Sequence, residues 1–273
     1  MLVRVPDVVY SDENGLQWLA GLATRGFRSG SVDIEVPDGV WIDANLRAAW
    51  GAIVNRWREK GVHYRFVRGD EPYAFEAEID RPTCLPYETF SIYDEESWAA
   101  YALRILSSDG MPAMSERVRD KLSYGILELF LNARQHSDTK YGIFACGHAF
   151  KKQNKLRVSI ADAGIGFKRR LELAGNNECR TGADAIDWAM CDDHTVKKKE
   201  DGVSGGIGLK DLRRFIELND GKLSILSDDG LWELSSGQVR KWNLDSSFPG
   251  TLITITVRTD DQGFYRLRSE VRL

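Results

Sequence analysis

The chain is poor in cysteine. It has four in 273 residues, at 84, 146, 179 and 191, and no Cys-x-x-Cys pair. That excludes a disulfide-dense secreted scaffold and a paired-thiolate zinc site, and fits a cytosolic chain with reduced thiols. Cys179, Cys191 and His194 lack metal-ligand spacing. Histidine is equally scarce, four in all, and His63, His148 and His194 carry no nucleophile or metal signature. No run approaches the roughly 20 apolar residues that span a bilayer. Met1 to Tyr10 is interrupted by Arg4, Pro6 and Asp7, which argues against a signal peptide. Positive charge is not in excess: 37 Lys and Arg face 41 Asp and Glu, a net charge of −4, so no global basic field draws the protein to nucleic acid or an anionic membrane. The basic runs Lys151-Lys152 and Lys197-Lys198-Lys199 are short and read as solvated loops.

What is present is ordinary globular patterning with room for a sizeable core. Val32, Ile34 and Val36 alternate with polar residues, as a half-buried strand does. After the turn Pro37-Asp38-Gly39, Asp43 is placed to cap a helix, and Leu46, Ala49, Trp50, Ile53, Val54 and Trp57 recur at helical spacing. Lys60-Gly61 ends that helix, and Val62, Tyr64 and Phe66 alternate again. This strand–helix–strand pattern predicts a small α/β unit over 1–92, closed by a proline-punctuated linker, Gly69 to Glu88, with Pro72, Pro82 and Pro86. A second domain is expected over 93–273. It begins with a helix over Glu95 to Leu106, followed by a long helix capped by Ser115 with Val118, Leu122, Ile126, Leu129 and Ala133 on its apolar side. Strands over 141–150, 156–161, 223–226 and 251–257, a short helix after the glycine loop that follows 156–161, and a helix over 209–219 complete it. The fold class is α+β.

Three separated motifs carry chemistry. Glu128, Asn132 and His136 are spaced four and four, which stacks them on nearly one helix face. A carboxylate there can deprotonate a water or hydroxyl, and an amide oxygen one turn on can coordinate Mg²⁺. By itself this is no more than a polar stripe. Asp162-Ala163-Gly164-Ile165-Gly166-Phe167 follows an apolar strand; its carboxylate can accept from an exocyclic amine, and its glycines admit a flat ring. Gly202-Val203-Ser204-Gly205-Gly206-Ile207-Gly208-Leu209 opens a helix, where unblocked amides attract phosphate. It is not a P-loop, because no Gly-Lys-Ser/Thr follows, and not a dinucleotide fingerprint, because the preceding segment is polar.

In this order the three motifs resemble the GHKL ATPase superfamily, which includes gyrase B, MutL, sensor histidine kinases and anti-sigma kinases, over roughly Ser115 to Arg258. The resemblance implies a Bergerat fold, an α/β sandwich of a mixed sheet with helices on one face. It implies ATP and Mg²⁺ as ligands, with Asn132 on the metal and Glu128 as general base. Asp162 would read the adenine amine, with Gly164 and Gly166 along the ring. Gly205, Gly206, Ile207, Gly208 and Leu209 would wrap the phosphates. Thr251, after Gly250, would share a water with Asp162 and adenine, and 168–204 would form a mobile polar lid. The Asn-Ala-x-x-His-Ser form at 132–137 resembles anti-sigma-like members, with His136 at the pocket edge.

The N-terminal unit is similar to a STAS domain, through its strand, Trp41-Ile42-Asp43-Ala44-Asn45-Leu46 and the amphipathic helix. STAS antagonists carry Asp-Ser-Ser-Gly there and are phosphorylated on a serine. Here those serine positions are Ala44 and Asn45, which argues against phosphorylation. The resemblance leaves three activities open: an ATPase or ATP-driven switch acting on a protein partner or within a homodimer; an anti-sigma-type serine/threonine kinase acting on a STAS-like partner; and a regulator that binds ATP without hydrolysing it. The presence of Glu128 favours turnover. A histidine kinase is disfavoured because no phosphoacceptor helix precedes the pocket, and a gyrase or MutL arrangement because no transducer domain follows Val257.

Overall fold

The computed structural model describes residues 1–67, 84–139, 142–191 and 207–271. The chain is α+β. Its N-terminal unit runs β1 (Leu2–Arg4), β2 (Val8–Val9), α1 (Glu13–Ser29), β3 (Ser31–Glu35), β4 (Trp41–Ile42), α2 (Arg47–Glu59) and β5 (His63–Phe66). Strands β1, β3 and β5 form a parallel sheet in that order. Helix α1 was not among the expected elements, although Leu16, Leu19, Ala20 and Ala23 recur at helical spacing. Asp12 caps it, accepting from the Gly15 amide at 3.0 Å.

Asp43 does not cap α2, contrary to the sequence reading. A short 3₁₀ turn, Ala44–Leu46, comes first. The Asp43 carboxylate accepts from the Ser11 amide (2.8 Å), the Trp41 indole (3.1 Å) and the Arg157 guanidinium (2.7 Å). Asp43 is 1% exposed, so a distant cation has replaced the local amide as its partner. Gly61 ends α2 in the left-handed region, as expected.

The larger unit runs β6 (Cys84–Phe90), α3 (Glu95–Leu106), α4 (Glu116–His136), β7 (Ile143–Phe150), β8 (Lys155–Asp162), α5 (Gly166–Leu173), α6 (Gly182–Met190), α7 (Ile207–Leu218), β9 (Lys222–Ser235) and β10 (Gln238–Arg258). Its five strands lie in the order β6-β7-β8-β10-β9. Every neighbouring pair is antiparallel, not mixed as expected. The short turns after β7 and after β9 leave no length for a parallel crossover. Strand β6 covers residues that the sequence reads as the end of the linker; the rest of that linker, 69–83, lies outside the described residues.

Helices cover both faces of this sheet, a second departure from expectation. On one face, Leu156, Val158 and Ile160 of β8 share a core with Ile126, Leu129 and Phe130 of α4 and with α3 and α7. On the other, Phe144, Cys146, Ala161 and Leu252 share a core with Leu19 of α1 and Trp50 and Ile53 of α2. Polar links cross the same interface: the Asn45 amide, fully buried, donates to the Ser159 hydroxyl at 2.9 Å, and the Cys146 thiol donates to the carbonyls of Ala44 and Asn45.

Strands β9 and β10 are longer than the sequence suggests and form one ribbon. It doubles back, because Lys222 and Glu233 of the same strand form an ion pair and Ser236 donates to Asp220 at 3.0 Å. The bend falls at Asp228, in the left-handed region, opposite register shifts in β10. Helix α6 seats on the bend through glycine–glycine contact: a Cβ on Gly230 would lie 2.1 Å from the Gly182 carbonyl carbon. Much of the expected lid is therefore folded. Most of α5, which matches the short helix expected after the glycine loop, and all of α6 lie within 168–191, and Ala185 and Ile186 are fully buried on an apolar face of α6 that the polar-lid reading did not include. Residues 192–206, with Lys197 to Lys199, are outside the described residues. Among the described residues no helix is long and apolar enough to cross a membrane.

Candidate functional site

The site is organised along α4. Its N-terminus is capped as predicted, the Ser115 hydroxyl accepting from the Val118 amide at 3.3 Å and donating to Glu270 at 2.8 Å. Three turns in, Glu128 is 8% exposed, and its carboxylate accepts from the Leu209 amide at 2.8 Å. Leu209 lies in the first turn of α7, where backbone amides have no intrahelical acceptor. The negative carboxylate also complements the positive end of the helix dipole. Asn132, one turn further along α4, is half-buried. His136 is the last residue of α4.

The C-terminal end of α4 meets the glycine loop. The Ser137 carbonyl accepts from the Ile165 amide at 2.7 Å. Any side chain on Gly164 would collide with Ser137, its Cβ falling 2.1 Å from that carbonyl oxygen. Gly166 has φ +76 and opens α5, and its Cβ would fall 2.5 Å from the Asp228 carboxylate. Both glycines are thus demanded by close approach, and Gly166 by conformation also. From Glu128 to Ser137 is roughly 13 Å of helix at 1.5 Å per residue.

Asp162 ends β8 between Ile143 of β7 and Thr251 of β10. It is 5% exposed and accepts from the Gly164 amide at 2.8 Å. Burial pushes its carboxyl up to about 7; the Gly164 and Thr251 amides and the Ser137 hydroxyl pull it down, and the Asp228 carboxylate adds a smaller upward push. Thr251 is buried, and its hydroxyl lies 3.2 Å from that of Ser227.

The structure therefore brings Glu128 and Leu209 into contact, and Asp162, Gly164 and Thr251 into contact, with Asn132 between the two groups on α4. Ile207 and Gly208 contribute the first backbone turn of α7, whereas Gly205 and Gly206 lie outside the described residues. Among the described residues no three His, Cys, Asp or Glu side chains cluster to hold a metal. Among the described residues here, Asn132 offers an amide oxygen, a hard donor of the kind Mg²⁺ accepts.

Sequence reading missed Ser227, Asp228 and Asp229. Asp228 accepts from the Lys168 amide at 3.0 Å and supplies the cap that Ile165 cannot give α5. Asp229 accepts from the Gly182 amide at 2.7 Å at the start of α6. Burial pushes the Asp228 carboxyl up to about 6. The signal was a Ser-Asp-Asp-Gly run at the end of an apolar strand, which caps helices only from another part of the chain. No family model matches this chain, and no curated protein matches it.

Proposed function

We propose that the protein binds ATP with Mg²⁺ in a Bergerat-type pocket and acts as an ATPase or ATP-driven switch. The observation that carries this reading is the convergence of three separated motifs along α4. Glu128 reaches the N-terminus of α7, and Ser137 holds the loop that follows Asp162, with Asn132 between them. Asp162 and Thr251 supply buried acceptors for an adenine edge, Gly164 and Gly166 give its ring a close backbone wall, and the first turn of α7 faces the phosphates. Bound beside Asn132, Mg²⁺ would neutralise phosphate charge. Glu128 is the one carboxylate of the α4 stripe and acts as base once it leaves the Leu209 amide.

In the STAS-like reading, the N-terminal unit offers no phosphoacceptor hydroxyl at positions 44 and 45. Ala44 and Asn45 are buried against the sheet, and neither has a hydroxyl. Any kinase activity would act on a separate STAS-like chain. Calorimetric titration of the full chain with ATP tests the proposal. Asp162→Asn should weaken binding about tenfold or more; unchanged affinity in that variant counts against the pocket.

A further inference from the structure

Helices α4 and α7 lie side by side and antiparallel, joined at successive levels. At the pocket end Glu128 accepts from the Leu209 amide at 2.8 Å. Two turns back along α4, Lys121 pairs with Asp211 at 2.8 Å. At the far end the link is Tyr265, from the segment that follows β10. Its amide donates to the Ala113 carbonyl and its carbonyl accepts from the Ser115 amide, both at 2.8 Å, which bridges it to the residues that open α4. Its ring meets Phe215 of α7 edge-on, with centroids 5.0 Å apart.

The segment is itself anchored. The Tyr265 hydroxyl donates to the Asp261 carboxylate, which also accepts from the Asn219 side-chain amide at 3.2 Å. Asn219 follows α7 directly and is 2% exposed. It accepts from the Arg258 amide at 2.6 Å and donates to the Arg258 carbonyl at 3.1 Å, so the end of α7 is tied to the end of β10. Glu270 accepts from the Ser115 hydroxyl at 2.8 Å and from the Leu267 amide at 2.7 Å. Burial first, and the Asp261 carboxylate second, push the Tyr265 phenol up to about 12, so it stays a donor at physiological pH.

We propose that Tyr265 is a positioning residue. Held by this network, it spans the start of α4 and the end of α7 and sets the spacing of the two helices, and with it the fit of Glu128 to the first turn of α7. Phe215 and Leu209 are about 9 Å apart along one helix, so loss of the ring at one end lets the other end tilt. The consequence for turnover rests on the ATP reading above; the placement of α7 does not.

The test is hydrogen exchange of the full chain without nucleotide, followed by ATP turnover. Tyr265→Ala removes the ring and hydroxyl and keeps the backbone bridge. Exchange of the Leu209 amide should rise about tenfold, while the amides of β7 and β8 keep their protection. Tyr265→Phe retains the ring against Phe215 and should restore Leu209. Turnover should fall in the alanine variant by about tenfold or more, with ATP affinity nearly unchanged, because the Asp162 end of the pocket does not move. Unchanged exchange at Leu209 overturns the proposal. So does a rise spread equally over β7 and β8, which is what a merely structural role produces. If Tyr265→Ala does not fold, Tyr265→Leu makes the same comparison with an apolar side chain in place of the ring. A Leu209 amide that loosens in a chain unable to bind ATP sinks the ATP reading and leaves the role of Tyr265 standing.

Discussion

The Glu128 carboxylate accepts a hydrogen bond from the Leu209 amide at 2.8 Å, joining the middle of α4 to the first turn of α7. An anionic phosphate at that helix terminus would seek the same amide, so nucleotide and carboxylate compete for it. Glu128→Ala should cut ATP turnover by about a hundredfold or more, while the affinity for a non-hydrolysable ATP analogue holds or improves. Hydrolysis at the wild-type rate in that variant would remove Glu128 from the role of base.

Asp162 makes stability depend on pH in a defined direction. Its folded carboxyl titrates at about 7, well above the unfolded value of 3.8. The folded chain therefore holds the extra proton between those values, and stability falls as pH rises through that window. Asp228, raised to about 6, adds to the same trend. Asp162→Asn keeps an acceptor for the Gly164 amide and removes the buried charge. It should be more stable than wild type at pH 8, by on the order of a few kcal/mol, with the gain fading toward pH 4. Melting temperatures across that range check it; a gain that grows on acidification would reverse the sign and refute the assignment.

Arg157→Ala should destabilise the whole chain by about 3 kcal/mol, because it leaves the buried Asp43 carboxylate without its cation. Urea unfolding followed by both tryptophan fluorescence and far-ultraviolet dichroism should remain a single coincident transition. Two separated transitions would mean that the two units do not share one cooperative core.

Gly230→Ala forces a methyl into the backbone of Gly182. The expected cost is roughly 1–3 kcal/mol, and hydrogen exchange should rise first in α6. An alanine tolerated there with unchanged exchange would show that α6 does not depend on this contact.

The legible parts of the fold were those written in local pattern. Ser115, the α4 stripe, the β8 strand and Gly61 all act on neighbours within a few residues, and the structure places them as expected. Apart from α1, what escaped was non-local. Asp43 looked like a cap because its neighbours suited one, yet its charge is answered by Arg157, across the sheet. Asp228 and Asp229 accept from helix-start amides 60 and 47 residues upstream, beyond the reach of any periodicity. The sheet was expected to be covered on one face because the family resemblance implied it, although the near-continuous apolar run of β7, buried at every position, was a local sign of a second layer. At the site, spacing alone put Glu128 and Asn132 on one face, but only tertiary contact joined them to Leu209 and to the Asp162 loop.

Asp228 and Asp229 are adjacent, yet each holds the start of a different helix. Helices α5 and α6 thus hang from two neighbouring peptide units of one strand, like two arms on a common axle. The start of α6 is held further by Thr181, which accepts from the Asp184 amide, and by Asn243 of the same ribbon, which accepts from the Ala183 amide. A displacement at the start of α5 would therefore bear on the same pair of residues that anchors the start of α6.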